Sequence, residues 1–187
     1  GMTQRVRLRE RELDAKMVSD GYVRVPFLPR SGVEALRRLW RDVGPVALRG
    51  IYSNVHDRSP TTNRHVDRTI TELFAAPAAD LFANGHLAGA SFLVKGTGAR
   101  SASTPHQDWC NVEEHRSQSL SIWCPLVDVD ARNGALQVVS GSHRLRRSIR
   151  SLDTPSLYLD FDDELEPHLR CVEASAVDAV LYAHNLF

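Results

Sequence analysis

The apolar positions along the chain follow two different periods, and the change falls near residue 89. Before that point they recur every three to four residues, which predicts helices over residues 31–42 and 69–82, the second interrupted or kinked by Pro77. An alternating run at residues 20–28 predicts one short strand in this first part. From residue 89 onward the period becomes two, so the second part is predicted to be mainly β.

Polar residues between these runs predict where elements start and turn. Ser31 and Glu34 have the spacing of a capping box, which sets the start of the first predicted helix. Residues 56–65, HDRSPTTNRH, are polar and are expected to form a loop. The pair Asn133-Gly134 is expected to form a type I′ hairpin turn, in which both central residues have positive φ.

Four apolar runs in the second part predict short strands: ASFLVK, SLSIWCPLVDV, ALQVVS and AVLYAH. Parallel pairing would need helical crossovers between them, and the intervening sequence has no helical period. A jelly roll or a small antiparallel barrel therefore fits the pattern. We expect a single domain over residues 1–187, helical over about 1–88 and a β-roll over about 89–187.

Composition limits the classes of partner. The chain has 187 residues, of which 42% are hydrophobic, and its 23 Lys and Arg balance its 23 Asp and Glu. It therefore has no overall charge that would favour nucleic acid or an anionic membrane. The basic block at 144–150 and the acidic block at 160–166 are interpreted as solvated loops. Three cysteines without CxxC spacing argue against a disulfide framework, and we expect a cytoplasmic protein.

The stretch TPHQDW at residues 104–109 carries the clearest chemical signal. In an extended segment His106 and Asp108 leave the same face, so an imidazole and a carboxylate converge. An iron(II) site with two histidines and one carboxylate takes two of its ligands from such a pair. A hydrogen-bonded surface loop would have the same spacing, and the spacing alone leaves both interpretations open.

Nearly the whole chain resembles the phytanoyl-CoA dioxygenase-like family of iron(II)/2-oxoglutarate-dependent oxygenases. The resemblance rests on six segments that occur in the family's order: DGYVRV, SGVEALRRLW, FLVKGTG, TPHQDW, SLSIWCPLVDVDARNGALQVVSGSH and VDAVLYAHNLF. It implies a double-stranded β-helix (a cupin-like jelly roll) with N-terminal helices packed on one sheet. It also implies Fe(II) as cofactor, with 2-oxoglutarate and O2 as cosubstrates.

The resemblance assigns roles to particular residues. His106 and Asp108 stand at the places of the first two iron ligands, and a carboxylate at 108 implies hydroxylation, since related halogenases have a small residue there. Trp123 stands where the family lines the 2-oxoglutarate pocket, although a core aromatic would fit equally. Lys95 stands at a strand end that faces the cosubstrate, although a surface lysine would fit as well. The expected substrate is a small-molecule metabolite, and a homo-oligomeric state stays open.

The third iron ligand is the place where the chain departs from the family. With Asp178 aligned to the family's usual aspartate, the distal histidine would follow directly after Phe187, and the arginine that binds 2-oxoglutarate would lie further on. We therefore expect the sequence to be part of a longer chain and inactive by itself. Otherwise His184 is the candidate third ligand. The alternative function is a non-catalytic β-roll that binds a small molecule and has lost the distal ligand.

Overall fold

The structure is a computed structural model that describes residues 5–45, 48, 50–57, 59–98, 101, 103, 105–109, 112–145 and 162–187. Its helices are α1 (Arg11–Asp20), α2 (Arg30–Val43), α3 (Asn54–Asp57), α4 (Pro60–Leu81) and α5 (Asp162–Leu165). Its strands are β1 (Tyr22–Pro26), β2 (Ile51–Ser53), β3 (Leu93–Lys95), β4 (Leu120–Trp123), β5 (Leu136–Val139), β6 (Leu169–Val172) and β7 (Asp178–Ala183). No helix among the described residues has the length and apolar character needed to cross a bilayer.

The chain divides into two compact units. The first comprises Gly1–Phe27, Leu81–Gly85 and Thr104–Phe187, and the second comprises Leu28–Asp80 and His86–Ser103. All of the pairings between named strands are antiparallel, as the short alternating runs predicted. The assignment of residues 1–187 to one domain stays a prediction.

In the first unit, β7 is the centre of a three-stranded sheet with the order β1-β7-β4. One face of β7 is formed by small and aliphatic residues, and Leu181 on that face is completely buried. On the other face, β5 and β6 pair with each other and pack over Val180, Trp123 and Tyr182. The apolar cluster between them contains Val129, Ala135, Val138, Val172, Ala174, Val180 and Leu186. The strands therefore enclose an apolar core that fixes the register of β7.

Gly21 joins α1 directly to β1. It adopts φ +83°, and its N–H donates to the Met17 carbonyl at 3.1 Å, which ends the helix with a left-handed residue. A Cβ at this position would collide with the His143 ring and lie 2.8 Å from Leu186 Cδ1. Glycine is therefore required both by the backbone conformation and by the close approach of the segment that follows β5.

The second unit contains α2, α3, most of α4 and the antiparallel strand pair β2–β3. Trp40 of α2 contacts Tyr52 and Phe92 edge-on, with ring centroids 5.5 Å apart in each case. Asn54 is buried, and its Oδ1 accepts a hydrogen bond from the Phe92 N–H at 2.7 Å while its Nδ2 donates to Asn63. The polar side chain is satisfied inside the unit, as burial requires.

The predicted helix over residues 31–42 is confirmed as α2, but its predicted capping box is wrong. The helix begins at Arg30 after Pro29, so Ser31 already lies in the first turn and makes no capping hydrogen bond. The loop predicted at residues 56–65 is also wrong for most of its length. It contains the end of α3 and the start of α4, where Ser59 Oγ accepts the Thr62 N–H at 3.2 Å and Pro60 occupies the first helical position.

The turn at Asn133-Gly134 differs from the type I′ geometry that was predicted. Gly134 has φ +97°, but no non-glycine residue in the described ranges has positive φ, so Asn133 does not. Instead Asn133 Oδ1 accepts the Asp130 N–H at 2.7 Å and its Nδ2 donates to the Asp128 carbonyl. The asparagine is therefore suited to this loop because its side chain satisfies backbone groups, not because it tolerates positive φ.

We predict that Leu181→Ala destabilises the protein by about 2–5 kcal/mol, because Leu181 is 0% exposed and the truncation leaves a cavity. Val127→Ala is the control, since Val127 is 54% exposed and its truncation should change stability by no more than about 0.5 kcal/mol. Urea unfolding of both variants measures the difference. Equal losses would contradict the position of β7 at the centre of the core.

Candidate metal centre

The segment at residues 105–109 brings His106 and Asp108 together. His106 Nε2 lies 3.8 Å from Asp108 Oδ1, with His106 exposed and Asp108 partly buried. Gln107, between them, is only 7% exposed. This alternation is that of an extended segment, in which every second side chain leaves the same face.

The spacing of the two donor atoms is suitable for a shared metal ion. Donors at right angles on one divalent first-row ion lie roughly 3 Å apart when each bond is about 2.1 Å. The observed separation of 3.8 Å between His106 Nε2 and Asp108 Oδ1 is somewhat longer than that value. An imidazole nitrogen with a carboxylate oxygen is also the donor set found in iron(II) facial triads. The pair therefore fits two positions of such a site.

Asp108 is held against the face of the sheet by hydroxyl groups. Ser121 Oγ on β4 donates to Asp108 Oδ2 at 3.0 Å. The Tyr182 hydroxyl on β7 also hydrogen-bonds to Asp108. Burial, and then the negative charge of Asp108, raise the pKa of Tyr182 well above its ordinary value, so its phenol keeps its proton. Both side chains can therefore act as donors to the carboxylate.

His184, the candidate third ligand, lies just beyond the end of β7 and is 9% exposed. Its Nδ1 lies 2.8 Å from Ser119 Oγ, and its N–H donates to the Ser119 carbonyl at 3.3 Å. A hydrogen bond at one ring nitrogen is the arrangement that orients the other nitrogen of a ligating histidine. However, in the part of the chain that the structure describes, no group of three or more His, Cys, Asp or Glu could hold a metal. The role of His184 as a ligand stays a prediction.

Gln107 links the segment that contains His106 and Asp108 to the end of β7. Its Nε2 donates to the Asn185 carbonyl at 2.6 Å, and Asn185 Nδ2 in turn donates to the His143 carbonyl at 2.7 Å. Gln107 Oε1 is buried and has no hydrogen-bond partner among the described residues. The contact sets the position of the extended segment relative to β7.

The two residues predicted to bind 2-oxoglutarate lie in different units. Trp123 ends β4, pairs with Val180 and packs against the apolar cluster between the sheets. That contact is the core role that its sequence also allowed. Lys95 ends β3 in the second unit and is exposed. Cosubstrate binding by Trp123 and Lys95 stays a prediction.

One of the three cysteines and parts of both charged blocks fall outside the described residues. Cys110 lies there, as do 146–150 of the basic block and 160–161 of the acidic block. Cys124, directly after β4, is described, and burial raises the pKa of its thiol to about 12. Its thiol is therefore protonated near neutral pH and a poor metal ligand.

A cavity of about 340 Å³ lies at the N-terminal segment of the first unit. It is lined by Arg7, Leu8, Arg9, Arg11, Asp14 and Ala83. Asp14 accepts hydrogen bonds from the Arg5 guanidinium at 2.6 and 2.9 Å, which holds the pKa of that carboxyl below its usual range. Neither His106 nor Asp108 lines this cavity, so the two are separate features.

Comparison with known proteins gives one family and several solved structures. Residues 30–181 match the family described as phytanoyl-CoA dioxygenase (PhyH). The non-heme alpha ketoglutarate dependent carbocyclase SnoK from nogalamycin biosynthesis is similar at 20% identity and a TM-score of 0.57, over 95% of this chain and 75% of SnoK. No curated protein matches.

Two further structures are similar at the same level. The epimerase SnoN, in complex with Fe3+, alpha ketoglutarate and nogalamycin RO, has 23% identity and a TM-score of 0.55, over 94% of this chain and 74% of SnoN. EctD from S. alaskensis, with 2-oxoglutarate and 5-hydroxyectoine, has 16% identity and a TM-score of 0.54, over 95% of this chain and 68% of EctD. At these identities the likeness shows a shared fold of helices and strands.

We predict that Ser119→Ala destabilises the protein by about 1–3 kcal/mol, because it removes the hydroxyl partner of the buried His184 Nδ1. Ser119→Thr retains a hydroxyl and should recover most of the loss. Ser140→Ala, in an exposed turn, is the matched control and should stay within about 0.5 kcal/mol of the wild type. The free energy of unfolding in urea measures all three, and a Ser119→Ala variant as stable as the control would contradict the contact.

Proposed function

Because the chain belongs to the phytanoyl-CoA dioxygenase (PhyH) family, we propose that it hydroxylates a small organic molecule. The family match spans residues 30–181, and it confirms the predicted class of enzyme, an iron(II)/2-oxoglutarate-dependent oxygenase. Iron(II), 2-oxoglutarate and O2 are the cofactor and cosubstrates of that class, as predicted. The substrate and the hydroxylation outcome are the parts that we propose.

The proposed architecture is the double-stranded β-helix. Support comes from the antiparallel sheet β1-β7-β4, which packs one face against the β5–β6 pair over a common apolar cluster. Two packed antiparallel layers are what a jelly roll requires. The site residues of the first unit then lie at the face of the sheet that is turned toward the inside of the roll.

We assign His106 and Asp108 as two of the iron ligands, and their 3.8 Å separation is the observation that carries the proposal. When bound, iron(II) supplies the coordination positions at which 2-oxoglutarate and O2 react. The chain's own residues hold the ligands in place and exclude water from the reacting groups. The apolar cluster packs against Trp123 and against Tyr182, one of the two hydroxyl residues that contact Asp108.

Hydroxylation is favoured over halogenation because position 108 carries a carboxylate. Chloride can bind the metal only where a coordination position is left open, and Asp108 is able to occupy that position. Oxygenases similar to this chain have several outcomes, since SnoK is a carbocyclase and SnoN an epimerase. EctD is described with 5-hydroxyectoine, a hydroxylated small molecule. We therefore propose a small-molecule metabolite as substrate, without naming it.

A second function, a β-roll that binds a small molecule without catalysis, rests on one observation. Among the described residues, no third potential ligand is grouped with His106 and Asp108. His184 is our candidate for the third position, and the hydrogen bond to Ser119 is its support. Cytoplasmic location also stays a prediction.

We predict that His106→Ala and Asp108→Ala each weaken Fe(II) binding at least about 100-fold. Loss of an outer partner of a ligand already costs about 10- to 100-fold, and loss of the ligand itself should cost more. Anaerobic titration with Fe(II) measures the affinity, with His168→Ala, at an exposed position, as the control. Unchanged Fe(II) affinity in His106→Ala would overturn the assignment of the site.

The same titration tests His184. If it supplies the third ligand, His184→Ala should weaken Fe(II) binding as much as His106→Ala does. Wild-type affinity in His184→Ala would remove it from the ligand set and leave the assignment of His106 and Asp108 standing. The circular dichroism spectrum of each variant controls for loss of the fold, because His184 is buried.

Succinate release distinguishes the enzyme from the binding protein. With Fe(II), ascorbate and 2-oxoglutarate, we expect the full product of the gene to release succinate and its His106→Ala variant to release none. Absence of succinate from the full product, with tight binding of a small molecule retained, would favour the second function.

A further inference from the structure

The two oxygens of the Asp108 carboxylate have different surroundings. Oδ1 is the oxygen that lies 3.8 Å from His106 Nε2. Oδ2 accepts the hydrogen bond from Ser121 Oγ at 3.0 Å. One oxygen is thus directed toward the proposed metal position, and the other toward the sheet.

Tyr182 reinforces this division from the neighbouring strand. Ser121 on β4 and Tyr182 on β7 are directly opposed in the antiparallel register, so their side chains leave the same face of the sheet. The Tyr182 hydroxyl hydrogen-bonds to Asp108, and its ring packs against the apolar cluster between the sheets. Two hydroxyls on adjacent strands therefore meet one carboxylate.

Hydrogen bonds of this kind limit how a carboxylate binds a metal. An oxygen whose lone pairs accept from protein donors has less capacity to bind an ion, and its direction is fixed. A carboxylate that binds through one oxygen occupies one coordination position, and through both oxygens it occupies two. An octahedral iron(II) with three protein ligands must keep three positions for 2-oxoglutarate and O2.

We propose that Ser121 and Tyr182 are positioning residues that hold Asp108 as a one-oxygen ligand and so keep the third open position available. The inference rests on the proposed function, because it assumes that Asp108 binds the metal. It adds a role for two residues that do not themselves touch the ion. Ser121 fixes the Oδ2 side of the carboxylate, and Tyr182 supplies a second donor from the strand that precedes His184.

The test uses Mn(II) as the probe, added alone to the protein. Mn(II) has no preferred geometry of its own, and its water ligands relax solvent protons, so relaxivity reports how many waters it binds. In Ser121→Ala, Tyr182→Phe and the double variant, we expect Asp108 to become free to bind through both oxygens. The relaxivity of bound Mn(II) should then fall by the contribution of one water. The dissociation constant for Mn(II) should rise by about 10- to 100-fold.

Two variants separate positioning from a general effect on the fold. Tyr22→Phe removes a hydroxyl from the residue directly opposite Tyr182 on β1, which packs on the same cluster, and it should leave both relaxivity and affinity unchanged. Ser121→Thr keeps a hydroxyl at the same position and should restore the wild-type relaxivity. If Tyr182→Phe fails to fold, Ser121→Ala and Ser121→Thr still decide the question.

The outcomes distinguish this inference from the proposed function. If the wild type binds Mn(II), His106→Ala abolishes binding, and the Ser121 and Tyr182 variants match the wild type, the positioning role is overturned while the metal site stands. If the wild type fails to bind Mn(II), or binds it equally well without His106, the proposed metal site and the positioning role both fall. A fall in relaxivity that Tyr22→Phe shows equally would also overturn the positioning role.

Discussion

The pairing of β7 with strands on both of its sides is the constraint on which the first unit depends. Its register with β1 opposes Tyr182 to Tyr22, and its register with β4 opposes Tyr182 to Ser121. The completely buried Ala179, Leu181 and Ala183 lock one face of the strand. A slip of one residue would turn these side chains to the opposite face, and it would turn Tyr182 away from Ser121 at the same time. Core packing and site geometry are therefore set by one register.

The positions of the proposed metal ligands depend on that register. The dependence comes from side-chain hydrogen bonds to β4 and β7, not from backbone pairing. His106 and Asp108 lie in an extended segment outside the named strands. Gln107 contacts the backbone just beyond β7, and Asp108 contacts β4 and β7 through hydroxyl groups. The extended segment thus carries the ligands, whereas the sheet determines where they stand. Support of ligand residues by rigid elements and by their hydrogen bonds is the usual way to hold such sites precisely.

The sequence predicted the elements in which apolar residues recur regularly over several residues. It failed where the run of residues is short or where local contacts determine the structure. The helix α2 and the strands β1, β3, β4, β5 and β7 were all predicted from apolar spacing. The strands β2 and β6 were missed, since IYS and LRCV are too short to show an alternation. The early start of α4 was missed because polar residues with a Ser-Pro start were interpreted as loop.

The site was predictable only in part, for a related reason. His106 and Asp108 were visible because their spacing gives a shared face without any tertiary information. Ser121 and Tyr182 are polar residues inside apolar runs, and their spacing alone does not say what they contact. Their alternation with Leu120, Ile122 and Leu181 does place them on one face, so inward polar positions in β4 and β7 were the signal available. Only the pairing of the two strands brings that signal to Asp108.

The hydrogen bond from Ser121 to Asp108 also gives the sheet a thermodynamic link to whatever binds the carboxylate. Within the described residues β4 lies at the edge of its sheet and pairs only with β7. A ligand that orders Asp108 therefore adds to the free energy that keeps this edge strand in place, by mass action on the ordered form. By reciprocity, local opening of β4 lowers affinity at Asp108 by the same factor. The ordering of the edge strand β4 and the binding of a ligand at Asp108 are therefore thermodynamically coupled.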